Sequence, residues 1–216
     1  MNTLITSLFT RKTLRRAKNS RRWERGVAAI EAALILPVIA FMIVGFMELY
    51  QYYRAITILD RTAFTVANGL SIQRELYDRE PCDKSDHICT YGAVAGDLLA
   101  PLDYRNNGQV ILSLYAAIEP TRPNQQITWK QSHEWQRAYQ GGGIGSPGRP
   151  AASSRLQTTD FPIANQGDTI IAVEMFYDYE PFVITSRFWQ ALGGERRVYT
   201  RALFRPRFSD IRAFAS

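Results

Sequence analysis

Residues 27–47 read VAAIEAALILPVIAFMIVGFM, an apolar run interrupted by one ionisable residue, Glu31. A helix of this length spans roughly 30 Å, the hydrocarbon thickness of a bilayer. A core helix of a soluble protein shows a polar face every three or four residues, and this run shows none. The segment is therefore read as a transmembrane helix. A secretory signal peptide fits poorly, because its apolar core is shorter and ends in small residues at a cleavage site. Here the run is long and leads into Met47, Glu48, Leu49 and Tyr50.

The 216 residues carry a formal net charge of +6. Arg11, Lys12, Arg15, Arg16, Lys18, Arg21, Arg22 and Arg25 precede the apolar run, against Glu24 alone, so the first 25 residues hold +7 and the rest −1. A remainder without spare positive charge argues against a basic nucleic-acid-binding domain, which has to neutralise phosphates. The same asymmetry orients the helix. Flanking Lys and Arg stay in the cytoplasm, and Tyr50, Tyr52 and Tyr53 suit the far headgroup layer. Residues 54–216 are then expected outside the cytoplasmic membrane. With 46% hydrophobic and 21% charged residues, the chain has the composition of a folded protein of one modest domain plus an appendage.

A carboxylate in a bilayer segment costs about 2.5–3.5 kcal/mol on insertion scales, so it tends to persist with a partner or a task. Glu31 lies five residues after Gly26, which directly follows the basic stretch ending in Arg25. If the bond between Gly26 and Val27 is cut, Val27 becomes a cationic N-terminus and Glu31 the fifth residue. The amine of one chain then pairs with the carboxylate of a neighbour displaced along the membrane normal. That pairing offsets the insertion cost and fixes register between subunits. The carboxylate of the cut chain also lies near the positive end of its own helix dipole.

The string from Arg25 and Gly26 through Glu31 into an apolar run resembles the prepilin-peptidase site of type IV pilins and pseudopilins. With Pro37 and Glu48 added, Gly26 and Glu31 are closer still to the TadE/TadF-like minor pilins of the Flp (tight adherence) pilus. The likeness is strong over residues 26–70 and diffuse beyond, where residues 169–181 resemble a Tyr-rich β segment of that family. Val27 departs from the Phe common at the first mature position of major type IV pilins. The resemblance implies a pilus assembly subunit supporting adhesion and biofilm formation. Its partners would be a prepilin peptidase, related minor subunits in a TadE–TadF type pair, the assembly platform and membrane lipid. A type II secretion pseudopilin shares the processing step, and an uncleaved single-pass membrane protein that scaffolds an envelope complex or binds a ligand is the alternative of another class.

The remaining sequence gives elements. Residues 54–70 keep helical spacing through Ile58, Leu59, Ala63 and Val66, and Asn68-Gly69 is a plausible stop. Unbroken, residues 27–70 make one helix roughly 66 Å long, and Pro37 removes one of its backbone hydrogen bonds. A short helix is expected within 92–104, ending near Pro101. Strands are expected at 109–118, 127–133, 169–183 and 198–208, half-buried by their period of two. The expected fold class is α+β. A long N-terminal helix packs on a small antiparallel sheet of about four strands, burying both apolar faces, in the pilin-like arrangement that the resemblance implies. The expected organisation is a leader 1–26, a membrane helix 27–49, its continuation 50–70 and an outer domain 71–216 with a flexible loop at 140–154.

Cys82 and Cys89, in an oxidising compartment, are read as a disulfide closing a short loop, contributing about 2–3 kcal/mol. Metal binding by Cys82, His87 and Cys89 lacks a fourth ligand and is the weaker reading. Gly143, Gly145 and Gly148 form a G-x-G-x-x-G, but Pro147 and Pro150 disfavour the helix that a dinucleotide site needs after it. His87 and His133 have no nucleophile arrangement beside them. Glu174 and Asp178 are read as a solvated or interface face, and Arg201, Arg205 and Arg207 as a solvated edge. Trp129, Trp135 and Trp189 are read as core or interface aromatics. No catalytic constellation, cofactor site or metal site is expected.

Overall fold

The computed structural model describes residues 3–122, 126–140, 153–181 and 197–215. The chain divides into two units, Met1–Tyr50 and Gln51–Ser216. A single helix, α1 (Thr3–Ser71), contributes to both. It includes the expected helix at 27–70 and continues N-terminally through the basic segment.

In the first unit, every side chain from 29 to 43 is exposed. The helix is long and apolar enough to cross a membrane. It passes through Pro37, whose missing N–H leaves the Ala33 carbonyl without its usual donor one turn on.

In the second unit, α1 is amphipathic. Ala55, Leu59, Ala63, Val66, Ala67 and Leu70 are 0–2% exposed, at steps of three and four that place them on one face. After α1, Cys82 and Cys89 form the disulfide, their Cα atoms 5.3 Å apart. The Tyr91 hydroxyl lies 2.9 Å from Ser85 O and 3.2 Å from Gly69 O, tying this loop to the end of α1. The short helix starts earlier than expected, as α2 (Ile88–Leu98), and a one-turn α3 (Tyr104–Asn107) follows, with Asp103 as its N-cap.

The sheet contains β1 (Gly108–Ala116), β2 (Trp135–Gln140), β3 (Thr169–Asp178) and β4 (Arg197–Phe204). Its order is β2-β1-β3-β4, antiparallel throughout. The α+β class is as the sequence indicates, but the second strand is not. Residues 127–133 form no strand, and β2 lies at 135–140 instead. Among the described residues a single bridge, Ala117 to Trp129, marks the expected position. The 127–129 stretch serves another purpose: Trp129 is buried with Tyr115, Ala117, Ala164, Ile170 and Ala172 over the second face of the sheet.

The two central strands, β1 and β3, are consequently buried on both faces, whereas the edge strands β2 and β4 are half-buried as expected. One face of β1 and β3 packs on α1 and α2 through Leu112, Leu114, Val173 and Met175. The other lies beneath Trp129 and the 156–164 segment, with Leu156 and Phe161 against it. The edges are fastened by tails and ion pairs. Trp135 Nε1 donates to Ile211 O at 2.9 Å, Ala215 N to Leu76 O at 2.8 Å, and Arg137 Nε to Asp78 at 2.8 Å. The expected loop at 140–154 lies, from 141 to 152, outside the described residues, as do the G-x-G-x-x-G glycines, Trp189, and positions 182 and 183 of the expected third strand.

Gly92 lets α2 meet the sheet. A Cβ there would fall 2.6 Å from Tyr139 Cγ. Gly92→Val should therefore destabilise the domain by about 1–3 kcal/mol, the usual cost of overpacking a core contact, measured by denaturant unfolding of the detergent-solubilised chain.

Candidate functional site

The residues singled out by sequence at 26–48 all lie on α1. Gly26 and Val27 sit within its continuous helical backbone, and Val27 is half exposed. At 100° per residue, Val27, Glu31, Leu34 and Val38 share one side of the helix, and Ala29, Ala33 and Ala40 take the opposite side. Glu31 is exposed within this span, so its own unit does not bury the carboxylate. Because α1 starts at Thr3, Glu31 is far from a helix N-terminus in the intact chain. The favourable end of the helix dipole reaches it only if the chain begins near Val27. Glu48, the second acid, is 2% exposed.

In the second unit several titratable groups hold the fold together. Glu174 is not on a solvated face. It is 0% exposed, and its Oε1 accepts the Arg155 N–H at 2.8 Å and the Tyr199 hydroxyl at 3.0 Å. Asp178 pairs with Arg197 at 2.7 Å. Arg201, Arg205 and Arg207 are exposed, as expected of a solvated edge, but two of them are also paired. Arg201 pairs with Asp160, and Arg205 reaches Ile163 O at 2.8 Å and Asp168 at 3.2 Å. These contacts clamp the 155–168 segment onto β3 and β4. Period-two reading misses the contacts of Arg155, Asp160, Ile163 and Asp168 because these residues lie outside the strands.

The Arg201 hydrogen bond, with its charge in support, holds the Asp160 carboxyl below the usual carboxylate range. A depressed folded value means that the pairing is complete above the ordinary range. It is lost as pH falls through the depressed value. Arg201→Ala should return the Asp160 titration to the ordinary range, followed by NMR.

An open groove of about 510 Å³ is bordered by Gly92, Gly96, Asp97, Asp103, Tyr104 and Tyr139, among others. Burial raises both tyrosines, Tyr139 up to about 12. The Tyr104 hydroxyl donates to Tyr139 O at 3.2 Å, and Asp103 caps α3. His87 Nδ1 lies 2.8 Å from Pro81 O, and His133 rests edge-on to Tyr115. Both cysteine sulfurs are in the disulfide, so the Cys82, His87, Cys89 trio has no thiolate to offer a metal.

The first unit and the start of the second are where the chain resembles known proteins. Residues 26–68 match the TadE-like protein family. The match opens on Gly26, takes in Glu31, Pro37 and Glu48, and closes at Asn68, inside α1. No curated protein and no solved structure shows significant similarity to the chain. The TadE-like stretch is thus the helical half, including its exposed apolar span, and it associates the chain with Tad-type pilus systems. The sheet lies beyond the matched residues.

Proposed function

We propose that this chain is a non-enzymatic, minor pilin-like subunit of a Flp/Tad pilus system, supporting pilus biogenesis and, through it, adhesion and biofilm formation. It enters the cytoplasmic membrane with its basic segment inside and its sheet domain outside, where the disulfide is stable. A prepilin peptidase then hydrolyses the Gly26–Val27 amide. Water supplies hydroxyl to the Gly26 carbonyl carbon and a proton to the Val27 nitrogen, so the C–N bond breaks and a carboxylate and an amine result. The amine, protonated at neutral pH, meets Glu31 of an adjacent subunit. Related minor subunits and the assembly platform are the partners, and lipid surrounds the helix.

One observation carries this reading. The TadE-like match begins at Gly26, between a basic segment and an exposed apolar helix whose early acid is the fifth residue beyond. Without cleavage, Glu31 remains a lipid-facing carboxylate with no cation made for it. Gly26→Leu should leave the leader attached in cells with an active peptidase, seen as a slower-migrating band. Normal maturation of that variant contradicts the assigned site.

A further inference from the structure

The bond proposed to be cut lies inside a helix. The helical backbone is continuous from Thr3 to Ser71, so the Gly26 carbonyl sits where an α-helix directs it to the N–H of Ile30. A peptidase cannot hydrolyse an amide in that state. The oxygen it must stabilise as an oxyanion is already engaged, and adjoining turns crowd the carbonyl carbon that water must attack.

The sequence weakens the helix at this step. Gly26 is the first glycine of α1, and none follows until Gly45. It adjoins β-branched Val27, and good helix formers surround the two: Glu24 and Arg25 before, Ala28 and Ala29 after. Gly is the poorest helix former after proline, and Val ranks well below Ala.

Resting on the processing reading, we infer that Gly26 acts as an unwinding point: the peptidase acts on a locally opened turn around residues 25–30, and helix stability there sets the cleavage rate. The glycine is then read through the conformation it permits, not through its size alone. Water still enters as above, with its hydroxyl on Gly26 and its proton on Val27.

Size and conformation separate in paired variants of the full chain in membranes, followed by pulse-chase with limiting peptidase. Gly26→Ala adds a methyl group and strengthens the helix, so cleavage should slow about five-fold. Ala29→Gly, three residues beyond, weakens the same turn and should speed cleavage by a similar factor. The double variant should return near the wild-type rate. Amide exchange of residues 27–30 in micelles should shift in the same order. If the double variant cuts as slowly as Gly26→Ala, or Ala29→Gly changes nothing, the unwinding role is wrong, although the cleavage site can stand. If the wild-type chain is never cut, the processing reading fails. The exchange rates still report whether this turn is the weak one.

Discussion

A chain carrying Glu31→Ala is expected to enter the membrane at least as well as the wild type and to vanish from assembled fibres. Removing the carboxylate relieves an insertion cost of about 2.5–3.5 kcal/mol. It also removes the acceptor proposed for a neighbour's Val27 amine. A hydrogen bond to a charged group contributes about 1.5–3 kcal/mol, equivalent to roughly ten- to hundred-fold in association. Glu31→Gln keeps the shape and loses the charge, so it should fail nearly as badly, whereas Glu31→Asp should retain part of the activity. The measurement is the amount of the variant co-purifying with sheared pili, set against its amount in the membrane. Normal incorporation of the alanine variant rules out the register role.

The second large effect concerns the sheet domain. Leu112 sits in β1, is 0% exposed and contributes to the core beneath α1. Leu112→Ala should cost about 2–5 kcal/mol, from lost transfer energy plus the cavity left behind. For a domain of this size that is a fall of roughly 5–15 °C in melting temperature. Ile163 provides the contrast. It is equally apolar but 85% exposed, and Ile163→Ala should stay within about 0.5 kcal/mol of the wild type. Thermal unfolding of both variants in the same detergent distinguishes the two positions. Equal losses would mean that the buried face of β1 is not where the stability resides.

The helical half was readable because its signals are local. An uninterrupted apolar run and a three-to-four spacing at Leu59, Ala63 and Val66 each need only neighbours in sequence. The sheet was readable in part. β3 alternates cleanly, and its apolar positions 171, 173 and 175 do face the helices. Residues 127–133 misled because Ile127 and Trp129 also alternate, yet Trp129 donates to Pro162 O at 2.6 Å and covers a face instead of joining an edge. β2 was missed because Gln136, Arg137 and Gln140 dilute its apolar signal, while Trp135 and Tyr139 carry the burial. Glu174 looked solvated because the groups that satisfy it, the Arg155 N–H and the Tyr199 hydroxyl, lie 19 and 25 residues away. At the candidate site the pattern of Gly26, Glu31, Pro37 and Glu48 was visible at once. The continuity of α1 through the Gly26–Val27 bond was not, since a basic leader gives no strong helical period.

The central claim concerns the chain's true beginning, and intact mass spectrometry of protein extracted from membranes with a working prepilin peptidase addresses it directly. The expected species starts at Val27 and retains the intramolecular disulfide. A species that keeps residues 1–26 under those conditions would contradict the claim and leave Glu31 without the cation proposed for it.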